Sequence, residues 1–213
     1  MAARYFITGT GDGLWNTNGN WSATDGGAAS GVKPTAADDV FFTANSPNCN
    51  AATTNIVAKT VTFTGYTGKT FTLTINLTLS GSLTLISGMT FTVSGTRTIT
   101  INASATLTFG GLSPTCLFSF LTGGAIIQLA DNWVAGNTVT ISGDLGSLIQ
   151  FKSNSAGVQR KLTIPQGKLL DLDFVTATDI DSSDGITAWN YKGTQSNCVN
   201  WMAMPFQKGT ISY

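Results

Sequence analysis

Residues 56–109 read IVAKTVTFTGYTGKTFTLTINLTLSGSLTLISGMTFTVSGTRTITINASATLTF. Apolar residues recur at every second position: Val61 and Phe63; Phe71, Leu73, Ile75, Leu77 and Leu79; Leu83 and Leu85; Phe91 and Val93; Ile99 and Ile101; Leu107 and Phe109. Thr or Ser usually stands between them. Successive side chains of a strand point to opposite faces, so one row is predicted inside and a hydroxyl row outside. Gly65, Gly68, Ser80-Gly81, Ser87-Gly88 and Ser94-Gly95 divide the run into short strands with tight corners. LTLSG, LTLISG and FTVSG follow one another as near-repeats. Together these features predict an all-β chain built as a short right-handed parallel β-helix, or β-solenoid, whose turns stack on one another. An antiparallel β-sandwich also has short, evenly spaced strands and remains the alternative. The shortness of the turns favours the solenoid.

Outward from this run, residues 110–165 continue the pattern more weakly through CLFSFL, AIIQLA, TVTISG, SLIQFKS and KLTI, so residues 51–165 read as the solenoid core. Leu112 to Leu121 is the most apolar stretch and is expected to lie deepest. Residues 1–50 are rich in Gly, Asn, Ser and aromatics, with short apolar pieces at Tyr5-Phe6-Ile7 and Val40-Phe41-Phe42. They read as an irregular cap or anchoring segment held down by Trp15 and Trp21, covering the open end that any solenoid has. Residues 166–213 read as the last turns, with Leu170, Leu172 and Phe174 inward, and a closing cap. No segment holds a 3.6-residue period over three turns, so little helix is expected.

Composition narrows the function classes. Of the 213 residues only 10% are charged, with eleven basic and eleven acidic side chains and a net charge of zero. A neutral chain gains no counterion release on nucleic acid and no pull toward anionic lipid, so neither is an expected partner. No stretch reaches the roughly twenty apolar residues of a membrane helix, and the first residues lack a signal-peptide core. Synthesis in the cytoplasm is the expectation. Every acidic residue is an aspartate, and histidine is absent. That removes the usual general base near neutral pH and the commonest metal ligand. Cys49, Cys116 and Cys198 are widely spaced and odd in number, and read as small buried hydrophobes.

Several residue groups carry competing readings. Asp179, Asp181, Asp184 and Gly185 resemble a calcium loop, but the bidentate glutamate of the helix-flanked type is missing, and an Asx turn accounts for them. No metal or cofactor is expected. Asp171 and Asp173 alternate with leucines and share one strand face, as a pair of glycosidase carboxylates would; a solvated face is the commoner reason for such alternation and is the expectation. Gly9, Gly11 and Gly13 lack the context of a phosphate loop and read as turn glycines. The sequons at Asn20, Asn76 and Asn102 follow from the Asn/Thr-rich composition. Trp15, Trp21, Trp133, Trp189 and Trp201 would stack on sugars if exposed, and otherwise plug the solenoid or anchor an interface.

The opening RYFITGTGDGLWNTNGNWSATDGGAASGVKPTAADDVFF resembles the start of phage-encoded β-helical virion proteins and related modules of bacterial surface proteins. Pro34, Thr35, Asp38, Asp39, Val40 and Phe42 carry that resemblance. In the closing LDFVTATDIDSSDGITAWNYKGTQSNCVNW, Thr178, Asp179, Asp181, Gly185, Thr187, Trp189, Asn200 and Trp201 match the terminal rung of the same proteins. The resemblance covers under half the chain and rests on scaffold motifs. It implies a non-enzymatic virion component: first a capsid decoration (cement) protein, acting as a homotrimer on the major capsid protein. A head-fibre or tail-fibre module that binds host glycan is the alternative. Tyr5, Phe6, Trp15, Trp21, Phe41, Phe42, Trp189 and Trp201 are the aromatics expected to anchor such an interface.

Overall fold

The structure is a computed structural model that describes residues 2–204; residues 205–213 of the expected closing cap lie outside the described residues. The chain winds into a parallel β-solenoid of about 7 turns. Each full turn runs along three faces. One is a ten-stranded sheet and one an eight-stranded sheet, while the third is divided into two sheets of three strands each. Neighbouring strands of these sheets pair in parallel, except for Ala3–Phe6 with Trp21–Ser22. Parallel pairing requires a long crossover between partners, supplied here by the other two faces of each turn. It excludes the antiparallel sandwich.

The period-two rows become continuous stacks. On the ten-stranded sheet Val40, Val61, Leu83, Leu107 and Leu129 succeed one another in register. On the eight-stranded sheet Ala58, Leu79, Ile101, Phe120, Ile141 and Leu172 do the same. All of these side chains are buried. Strands about 4.8 Å apart place each apolar side chain directly over the next, so close packing runs the length of the solenoid. Outside, Thr62, Thr84 and Thr108 form a hydroxyl row, and Thr78, Thr100, Ser119 and Thr140 a second.

Two inward expectations need correction. Phe174 stands at a left-handed corner (φ 53) and is half-buried outside the core, with Lys192 Nζ 4.9 Å from its ring centroid. Ile75, Phe91 and Val93 do pack against the core but stay half-buried, Ile75 at a corner and the other two because their strand Thr90–Val93 ends its three-stranded sheet. Within Leu112–Leu121 only Pro114, Cys116, Phe118 and Phe120 are buried, and Leu121 is 53% exposed. Phe118 of this stretch packs edge-on against both Phe109 and Trp133, which stack on each other at 4.5 Å.

At the N-terminal end Ala3–Phe6 adds a parallel strand beside Asp39–Phe42. Asp39–Phe42 itself belongs to the first full turn, so the solenoid begins inside residues 1–50. A single 3-10 turn, Asn18–Asn20, leads into Trp21–Ser22. Trp15 and Trp21 pack edge-on at 5.0 Å, and Trp21 Nε1 donates to the Trp15 carbonyl at 2.7 Å. Phe42 meets Phe6, Trp15, Trp21, Phe63, Tyr66 and Phe71 with ring centroids between 4.7 and 6.0 Å away. This aromatic cluster seals the first turn.

The end motifs act as clamps in the backbone. The Asp38 carboxylate accepts the amides of Thr35 and Ala2, both at 3.0 Å, and the Thr35 hydroxyl at 2.8 Å. Burial raises its pKa, but these bonds and Arg4, 3.8 Å away, outweigh that and leave it lowered. Near the other end Thr187 Oγ1 donates to Asn200 Oδ1 at 3.0 Å, while Asn200 Nδ2 donates to the Ser182 carbonyl at 3.1 Å.

Candidate functional site

The expected anchor aromatics divide by position. Phe6, Trp15, Trp21, Phe42 and Trp201 are buried at 3% exposure or less. They fill the protein's own core and present nothing to a partner. Tyr5 and Phe41 stay half-buried on the outward side of the ten-stranded sheet, stacked at 5.0 Å. Trp189 is 43% exposed and lies in register with Met202, 48% exposed, on the outward side of the eight-stranded sheet. Trp133 is buried. Of the five tryptophans, Trp189 alone is open to solvent, and no row of exposed tryptophans exists for sugar stacking.

The three candidate calcium ligands do not converge. Asp179 sits at a left-handed corner (φ 57) and is buried, with its carboxylate accepting the Gly157 amide at 2.9 Å and the Asn197 side-chain amide. Asp181 accepts the Ser183 amide at 2.8 Å in an Asx turn, and that hydrogen bonding lowers its pKa. Asp184 points to solvent and pairs with Lys161 at 2.5 Å. Among the described residues no three acidic or cysteine side chains gather around one point. Asp171 and Asp173 share the outward side of Leu170–Asp173, half-buried, and line neither of the concavities described below.

The cysteines are free. Cys49 and Cys116 are buried, and burial pushes the Cys116 thiol up to about 12 and Cys49 well above its usual range. Such thiols are poor nucleophiles.

A cleft of about 570 Å³ lies at the N-terminal end, between the loop that includes Thr8 and Asp12 and the outward side of the three-stranded sheet that contains Cys49–Ala51 and Thr70–Leu73. The sheet supplies Cys49, Asn50, Thr70 and Thr72, with Pro47 and Asn48 just before its strand, and Ile7, Gly11 and Gly13 line the loop side. Leu14 pairs with Asn50 as a parallel bridge, with Trp15 N donating to Asn50 O at 3.0 Å and Asn50 N to Gly13 O at 2.8 Å. The loop is thereby pinned to the sheet edge. Its interior is fixed by Asp12, which accepts the Leu14 amide at 3.0 Å, the Thr17 hydroxyl at 2.7 Å and the Asn20 side-chain amide. These bonds, the Leu14 amide first, hold the Asp12 pKa down at about 2. Asn20, buried, returns its Oδ1 to the amide and hydroxyl of Thr10. On the sheet side the Tyr66 hydroxyl donates toward the carbonyls of Pro47 and Thr70, each 2.8 Å away, and Asn48 Oδ1 accepts the Thr70 amide at 2.8 Å.

Comparison with family models, curated proteins and solved structures finds no match to this chain. The geometry therefore stands as the basis for any functional reading.

Sequence reasoning singled out the turn chemistry of Gly11-Asp12-Gly13 but not the cleft. Thr70 and Thr72 were legible as outward residues; that the loop would dock beside them was not, because Leu14 meets Asn50 only through tertiary folding. A smaller hollow of about 280 Å³ on the ten-stranded sheet is lined by Ser82, Ser104, Thr106, Gln128 and Lys152, among others. No helix among the described residues is long and apolar enough to cross a membrane.

Proposed function

We propose that this chain is a non-enzymatic structural protein of a phage virion, a capsid decoration protein that binds the outer shell as a homotrimer. The observation that carries the reading is the pairing of Trp189 with Met202, two large exposed apolar side chains in register on the outward side of the eight-stranded sheet. Two large apolar side chains held side by side on rigid strands form a docking spot of the kind that dominates protein interfaces. Neutral net charge and hydroxyl-covered faces support close packing with little electrostatic repulsion. The resemblance of both chain ends to virion proteins, read from the sequence, supports the major capsid protein as the partner.

Co-sedimentation of the purified chain with undecorated capsids tests the reading. The unmodified chain pellets with the shells, and Trp189→Ser, which lies outside the core, weakens capture at least about tenfold while leaving thermal unfolding in place. Failure of the unmodified chain to pellet overturns the decoration reading.

A further inference from the structure

We propose that the N-terminal cleft is a binding site for an uncharged, polyhydroxylated ligand, a saccharide of one or two rings. Its volume, about 570 Å³, falls in the range of roughly 300–1,000 Å³ typical of small-molecule sites. Its charge rules against other classes. No lysine or arginine lines it, so an anion finds no counter-charge. Its sole ionised group, Asp12, already accepts three hydrogen bonds from its own loop, which leaves little for a cation.

What remains free is neutral and directional. Asn48 spends Oδ1 on the Thr70 amide, and Asn50 Oδ1 takes only a long 3.4 Å bond from Thr74. The Nδ2 groups of both asparagines and the hydroxyls of Thr70 and Thr72 have no partner among the described residues. Two amide donors, one on the strand Cys49–Ala51 and one just before it, and two hydroxyls on the adjacent strand Thr70–Leu73 match the alternating donors and acceptors of vicinal sugar hydroxyls. Pro47 and Ile7 supply a small apolar surface for the C–H face of the ring. The walls are preformed: the Leu14–Asn50 bridge, the Asp12 network and the Tyr66 hydroxyl fix them without a ligand, so binding loses little to ordering. The site is independent of the virion reading, and it places sugar recognition on asparagine and threonine instead of on the tryptophans.

Titration calorimetry on the full chain, with glucose, galactose, mannose, N-acetylglucosamine and their β-linked disaccharides as probes, tests the site. At least one probe binds with a Kd of about 1 mM or tighter. Thr72→Trp fills the cleft and lowers affinity at least about tenfold, while Thr84→Trp, on an outward row of another face, does not. Asn50→Ala, which removes only a side-chain amide, gives a second reading should Thr72→Trp fail to fold, and it too weakens binding. Absence of binding by every probe, or binding that ignores both Thr72→Trp and Asn50→Ala, overturns the proposal. Capsid co-sedimentation of Thr72→Trp stays unchanged, which separates this site from the Trp189 face.

Discussion

The carboxylate of Asp131 accepts the backbone amide of Gly110 at 2.6 Å and that of Phe109 at 2.8 Å, reaching from one turn of the solenoid to the turn before it. Gly110 has φ +58, and a Cβ there would stand 2.7 Å from the backbone of Ile86 in the preceding turn. One carboxylate thus satisfies two amides at a corner too tight for ladder bonds. Asp131→Ala leaves both amides unpaired and is expected to destabilise the chain by about 2–3 kcal/mol in urea unfolding. A loss below about 0.5 kcal/mol, the level of an ordinary surface change, would count against this role.

The N-terminal aromatic cluster should behave as part of the core and not as a detachable arm. Phe42→Ala removes the ring that six other aromatics surround and is expected to cost about 3–5 kcal/mol. The matched change at the outward Phe41, half-buried against Tyr5, should cost much less. Equal effects at the two positions would contradict the assignment of faces.

Acid should loosen the cap through Asp12. Its pKa is lowered from 3.8 to about 2, so its contribution is present above the unfolded value and is lost as pH falls through the folded one. Asp38 and Asp181 are shifted the same way. Urea midpoints followed by tryptophan fluorescence should fall between about pH 4 and pH 2, and Asp12→Asn should flatten part of that fall. Identical pH profiles for Asp12→Asn and the parent would remove Asp12 from the account.

Thiol labelling should rank the cysteines. Cys198 is half-buried, whereas Cys49 and Cys116 are closed off. In native buffer Cys198 should react first, and slowly, because burial raises its pKa also. Cys49 and Cys116 should react only on unfolding. Rapid native labelling of Cys116 would contradict its position inside the fourth turn.

The solenoid was legible because Thr and Ser between apolar residues mark each strand's two faces locally. Val61, Leu83 and Leu107 could be read as inward residues one strand at a time, and parallel stacking simply aligned them. Phe91 faces the core as read but is only half-covered, because its strand ends its sheet, which no local pattern encodes; Leu121 misled because it stands one place past the buried Phe120, off the inward row. Within the Asp cluster the Asx turn was legible at Asp181, whose carboxylate accepts the Ser183 amide, but the partners of Asp179 and Asp184 were not. Lys161, the partner of Asp184, comes from the turn before, and Gly157 and Asn197, the partners of Asp179, from the turns before and after. Stacking of the turns draws each carboxylate to a different neighbour, and those neighbours are distant in sequence. The cleft depends on a loop docking across a sheet edge and left only its turn residues visible beforehand.

The most direct measurement of the central claim is light scattering of the purified full chain, alone and mixed with undecorated capsids. The account predicts a stable trimer that transfers to the shell until its sites are filled. A monomer that remains free in the presence of capsids would contradict it.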